Sequence, residues 1–324
     1  MYLGDYRVEI IPDTEFRLDG GAMFGVVPRV LWERVCPPDD LNRIRQNMNC
    51  VFIDTGSERI LIETGIGEKW SEKEIAIYGI FRERAFAETL FEKTGCRPED
   101  ISVVINTHLH FDHAGGNTIL SEPPASAGGP ILSEPPASAG GQFGGEGSAN
   151  RPPAHAGGSD FVPQFPNARY LVSARELEHA EAPHERDRAS YLPENWRPVQ
   201  KAGQLEQMPD DYEAVPGLKM QTVRGHSKTM QTWRLDRGGK TIYGFADLIP
   251  TRHHVPLPWI MGYDLYPTET LEFKRKILPQ AVEEQWLCLF YHDFEQPLCR
   301  LAVKDNRIEA VGAHQSAREA DGRI

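Results

Sequence analysis

Ten consecutive residues, Thr107-His108-Leu109-His110-Phe111-Asp112-His113-Ala114-Gly115-Gly116, limit what this 324-residue chain can become more than any other stretch. They follow Ile101-Ser102-Val103-Val104-Ile105, a near-continuous apolar run of the kind that forms a strand buried on both faces. His108 and His110 lie two apart just beyond the strand end, so both rings can point to one side. Asp112 and His113 can then turn toward a second ion. Imidazole nitrogen is a favoured zinc ligand and carboxylate oxygen a harder partner. Three histidines and an aspartate packed into six residues are hard to explain as surface polarity.

Three later residues complete a set. Gly225-His226-Ser227 follows the strand pattern of residues 220–223, Asp247 follows that of 241–245, and His292 follows that of 287–290. Each stands at the C-terminal end of an apparent buried strand, where α/β architectures collect ligands. Alone, each reads as an ordinary satisfied polar residue; behind one strong motif, the repetition favours a site.

Around these lie further elements. Residues 7–11 read as a strand, and 49–54 and 59–63 as a hairpin about Thr55-Gly56-Ser57-Glu58. Residues 85–94 have helical spacing and stop at Gly95. Ser173-Ala174-Arg175-Glu176 has the pattern of a capping box opening a helix. Residues 232–235 suit a strand and 268–281 a helix. The apolar, glycine-rich stretch 20–28 has two readings, a substrate wall exposing Met23 and Phe24 or a loop plugging the core. Trp259, Tyr263 and Tyr266 are divided in the same way between core and pocket wall. His253-His254 reads as surface loop, and His179 and His184 as solvated.

Residues 119–158 differ in character. ILSEPPASAGGP at 119–130 recurs as ILSEPPASAGGQ at 131–142, with a worn copy, PPAHAGG, at 152–158. Such units bury too little to offset the entropy of ordering, so a disordered insertion into a surface loop is expected. The expected organisation is one domain over 1–311, interrupted at 119–160, with a flexible tail at 312–324.

The net charge of −12 argues against nucleic acid or an anionic membrane as partner. No apolar run approaches the ~18 residues of a membrane span, and the N-terminus does not read as a signal peptide. Five scattered cysteines without a CxxC suit reduced thiols in a cytoplasm.

Together, THLHFDHAGG, the later GHS, Asp247 and His292 resemble the metal-binding series of the metallo-β-lactamase superfamily, over essentially the whole chain apart from repeats and tail. That resemblance implies an α/β fold, a four-layer αββα sandwich with two Zn2+ sites at one sheet edge, other divalent transition metals being possible. It implies that His108, His110 and His226 hold one ion, that Asp112, His113 and His292 hold the other, and that Asp247 bridges them. A hydroxide shared by the ions, oriented by the catalytic carboxylates Asp112 and Asp247, is then the expected nucleophile. The expected substrate is a small molecule, a neutral hydrophobic ester or lactone, with phosphotriesters as a side activity. Met23, Phe24, Trp32, Trp259, Tyr263 and Tyr266 are candidates for its pocket, and a homodimer stays open. The motif run resembles quorum-quenching lactonases, whereas 247–259 looks more like the methyl-parathion-hydrolase branch. Two positions depart: Pro250 stands where lactonases carry a carbonyl-polarising tyrosine, and Glu63-Thr64-Gly65 replaces Asp-Thr-Gly. The rival readings are a glyoxalase-II-like thioesterase, a β-lactamase proper, a nuclease, an iron redox protein and a metal-stabilised binding module.

Overall fold

The computed structural model describes residues 1–121 and 161–313. A seven-stranded sheet takes, in spatial order, Tyr2–Leu3, Tyr6–Asp19, Arg43–Asp54, Arg59–Ile62, Val103–Ile105, Arg169–Ser173 and Leu205–Met208. A second takes Asp211–Val215, Leu218–Thr222, Gln231–Arg237, Lys240–Gly244, Leu287–Leu289, Leu298–Lys304 and Arg307–Gly312. In both, neighbours in sequence are neighbours in space, so hairpins supply the antiparallel pairs. Parallel pairs need crossovers. The helix Phe86–Thr94 lies between Arg59–Ile62 and its parallel partner Val103–Ile105, and Pro267–Glu283 lies between Lys240–Gly244 and Leu287–Leu289.

The two sheets share one core. Phe52, Ile62 and Val104 from the first and Trp233, Leu235 and Leu287 from the second belong to a single buried cluster. Full burial of each aliphatic side chain contributes roughly 1.5–3 kcal/mol, so the uninterrupted apolar run Val103–Ile105 commits that strand to the centre. The strand expected at 7–11 extends over Tyr6–Asp19, with its register shifted between Pro12 and Glu15. Residues 20–28, read as a loop, open instead as the short helix Gly20–Phe24, because the Asp19 side chain caps the Ala22 N–H at 2.8 Å.

The strand ends converge on one rim. His108, Asp247 and His292 each stand three residues past the last residue of their strands, and His226 stands four past Thr222. Away from that rim, Thr118–Leu120 pairs with Phe161–Pro163. Ile119 and Leu120, expected at the start of the insertion, are therefore strand. The repeats from Glu122 onward, with His155, and the tail from His314 lie outside the described residues. Gly312, expected in the tail, closes the last strand. Among the described residues no helix is long and apolar enough to cross a membrane.

Candidate metal centre

The strand rim gathers the candidate donors into two adjoining sets. His108, His110 and His226 form one, and Asp112, His113, Asp247 and His292 the other; within each, all donor atoms lie within 4.8 Å of one another. Asp247 touches both. Its Oδ1 lies 3.0 Å from His113 Nε2 and 3.1 Å from His292 Nε2, while Oδ2 lies 3.5 Å from His226 Nε2. Asp112 Oδ2 approaches His292 Nε2 at 3.5 Å, and His226 Nε2 lies 3.1 Å from His110 Nδ1.

The far nitrogens show how the rings are aimed. His226 Nδ1 lies 3.1 Å from Asp264 Oδ1, and Thr270 Oγ1 donates to the other oxygen of that carboxylate at 2.6 Å. His292 Nδ1 donates to Asn47 O at 3.1 Å, and His108 Nδ1 meets Thr107 Oγ1 at 3.0 Å. His113 Nδ1 lies 3.3 Å from Glu63 Oε1. Such outer contacts fix the tautomer and turn the opposite nitrogen inward. Glu63 also accepts from Thr107 N–H at 3.1 Å, so the departure at Glu63-Thr64-Gly65 sits directly behind the motif. Asp264 has no local signal in the sequence, since it reaches His226 across 38 residues.

The donor set fits metal ions. His108 Nε2 and His110 Nε2 are buried without a hydrogen-bond partner. An unpaired buried polar atom costs about 1–3 kcal/mol, and two in one donor set call for a ligand that accepts lone pairs. Burial, reinforced by the neighbouring imidazoles, holds His108 and His110 well below the usual histidine range, in the neutral form that metals require. Burial alone would raise Asp247, but the charges of His113, His292 and His226 hold it far below the usual carboxylate range.

Backbone contact sets the position of the motif. A Cβ on Gly115 would stand 2.2 Å from Ile66 O, and one on Gly116 2.2 Å from Thr64 O, so the end of the motif packs main chain on main chain against the segment after Glu63. Gly115→Ala is therefore expected to destabilise by at least the roughly 1–3 kcal/mol of an overpacked site. Urea denaturation checks this; an unchanged midpoint would show that the contact gives way freely.

The expected pocket is partly corrected. Met23, Phe24 and Trp32 are only 1, 0 and 1% exposed and form a satellite core with Val27, Ile44 and Met261, so none of the three is open to a substrate. Phe24 stacks on His254 at 4.6 Å, and His254, read as surface, is fully buried, its Nε2 donating to Met23 O at 2.9 Å. Trp259 and Tyr266 are half-buried, whereas Tyr263 is 39% exposed. The Tyr263 hydroxyl is pushed up by burial, with the charges of Asp19, Tyr78 and Asp112 adding. His179, read as solvated, is half-buried and paired with Asp187 at 2.8 Å. An aromatic cluster, unmarked by any sequence pattern, lies beside the motif donors. Phe111, between His110 and Asp112, packs on Trp70 at 5.5 Å and Tyr78 at 5.4 Å, all three half-buried.

Known proteins share this frame. The metallo-beta-lactamase superfamily pattern matches residues 45–218. Over 84 residues the chain is 34% identical to an N-acyl homoserine lactonase of Bacillus cereus, covering 23% of this chain and 34% of that enzyme. The chain thus spans about a third of the length of the curated relatives it matches. A probable metal-dependent hydrolase from Staphylococcus aureus superposes with a TM-score of 0.78 at 26% identity, covering 97% of this chain and 99% of that one. AidC, a dizinc quorum-quenching lactonase solved with a product, N-hexnoyl-L-homoserine, superposes at 0.68 with 18% identity, covering 96% of each chain. With its two sheets, its rim of histidines and aspartates and a pattern matched over more than half its length, the chain belongs to the metallo-β-lactamase superfamily.

Proposed function

We propose that this chain is a dinuclear metal-dependent hydrolase, loaded with zinc, that cleaves neutral hydrophobic esters or lactones. The observation that carries the reading is the contact of one carboxylate, Asp247, with histidines of both donor sets. His108, His110 and His226 would hold one ion and Asp112, His113 and His292 the other, with Asp247 between them. When bound, such a pair polarises the scissile carbonyl and makes water a nucleophile at neutral pH. The chain's own groups do the rest. Asp247 and Asp112 orient the attacking water, and Asp112 takes its proton and passes it to the leaving oxygen, closing the proton balance. Asp264, Glu63 and the Asn47 carbonyl hold the rings in place during turnover. The lactonase and hydrolase relatives support this assignment.

Substrate preference follows from the wall of Trp70, Tyr78 and Phe111. An acyl or aryl group laid on these rings leaves water, at about 0.8 kcal/mol per buried methylene, or roughly fourfold in binding. kcat/KM is expected to rise with acyl length, and phosphotriesters to be slow alternative substrates, since the same water can attack phosphorus. The test compares an aryl ester, a long-chain lactone, a glutathione thioester and a phosphodiester. Preference for either of the last two, both anionic, would move the chain to the thioesterase or nuclease branch.

A further inference from the structure

Glu176 carries a carboxylate in an unusual place. It is fully buried, and among the described residues no lysine or arginine pairs with it. Its sequence setting, Ser173-Ala174-Arg175-Glu176, spells a capping box, yet the Ser173 side chain makes no cap bond and its Oγ is unpartnered. The Glu176 side chain turns inward instead. A buried carboxylate is costly unless donors surround it, and three do so at this position. The Leu109 N–H, between His108 and His110, donates to Oε1 at 2.8 Å. The Tyr191 hydroxyl donates to the same oxygen at 3.1 Å. Thr229 Oγ1 donates to Oε2.

Two of those donors come from the segments that carry the first donor set, and the third packs against it. Leu109 is the residue between its two motif histidines. Thr229 lies three residues past His226, in a turn where Ser227 Oγ accepts from Met230 N–H at 2.9 Å. The Tyr191 ring meets the His110 ring edge-on at 4.6 Å, and its backbone bridges to that of His110. No comparable tie from Glu176 reaches Asp112, His113, Asp247 or His292 among the described residues.

We infer that Glu176 is the positioning residue of the first metal set, a buried anion that locks the 108–110 turn to the 226–229 turn so that His108, His110 and His226 converge. This inference rests on the reading of the rim as a two-metal centre. It does not make Glu176 a catalytic residue, since it touches neither substrate nor donor atoms.

The experiment is a zinc titration of purified metal-free protein against a chromophoric chelator, for the native chain and for Glu176→Ala, Glu176→Gln, Thr229→Val and Leu177→Ala. Leu177 lies on the same helix and packs in the buried cluster that also holds Leu109 and Tyr191, but its side chain has no polar group to take part in the ties, so it reports lost packing around them as distinct from loss of the ties themselves. Glu176→Ala is expected to weaken one of the two zinc sites at least tenfold and leave the other within threefold. Glu176→Gln, which keeps an acceptor for the Leu109 N–H, should recover most of the loss, and Thr229→Val should show a smaller weakening of the same site. Leu177→Ala should lower thermal stability without separating the two affinities. If Glu176→Ala fails to fold, the Thr229→Val and Glu176→Gln titrations carry the test. Native affinities at both sites in every foldable Glu176 and Thr229 variant, or equal weakening by Leu177→Ala, would overturn the inference. A native chain that binds no zinc would instead overturn the two-metal reading itself.

Discussion

Asp247→Asn is expected to cut kcat/KM by roughly 10²–10⁴-fold, the range for removing a positioned carboxylate or charge-stabilising group from an active site. The reason is geometric. One oxygen lies within 3.1 Å of both His113 and His292, and the other faces His226 at 3.5 Å. An amide keeps the volume but loses the charge, and whichever way it rotates it presents an N–H₂ group to imidazole nitrogens. Both donor sets lose their common acceptor at once. The fold should survive, because Asp247 sits in a short turn past Gly244 and the sheets are built by the surrounding apolar residues. Circular dichroism and thermal melting of metal-loaded variant and native protein check the fold, and initial rates on an aryl ester check the chemistry. A variant within about tenfold of native kcat/KM, on the scale of an outer-contact change, would remove Asp247 from the centre of the site.

The donors were legible in the sequence because their chemistry is written locally. His108, His226, Asp247 and His292 each follow a strand within three or four residues, and the motif runs on from His108 to His110, Asp112 and His113, which brings these candidates to one rim. What supports them was not legible, because it is assembled across the chain. Asp264 meets His226 only after the chain has run through two strands and two short turns. Glu176 was visible but misread, since a local capping pattern competed with a long-range demand for an acceptor at Leu109 N–H, and the buried donor prevailed. The pocket failed for a related reason. Met23, Phe24 and Trp32 are as apolar as any pocket wall, but Asp19 folds the stretch into a helical turn that presses them against Ile44 and Met261. The proposed wall draws Tyr78 from the helix Glu72–Tyr78, which has no buried residue and so leaves no amphipathic trace to read. Its partner Phe111 stood within the motif, unremarked among the ligands.

Removing metal should abolish activity and lower stability together. Five imidazoles and two carboxylates share a buried rim, and His108 Nε2 and His110 Nε2 find no hydrogen-bond partner among the described residues. Their desolvation is compensated only when ions take up the lone pairs, so ion binding and folding are linked. At free metal a thousandfold above Kd, each ion adds about 4 kcal/mol to the stability of the folded chain. Dialysis against a strong chelator is therefore expected to lower Tm by roughly 10 °C or more, given ~2–4 °C per kcal/mol for a domain of this size. Esterase activity should fall below detection and return on adding zinc, with about two ions bound per chain by elemental analysis. The two readouts must move together. Chelated protein that keeps its Tm but loses activity would mean that the rim is held open by the surrounding sheets without help from metal. Protein purified from zinc-supplemented growth with only trace transition metal would sink the metal centre altogether, and with it the bridging role of Asp247.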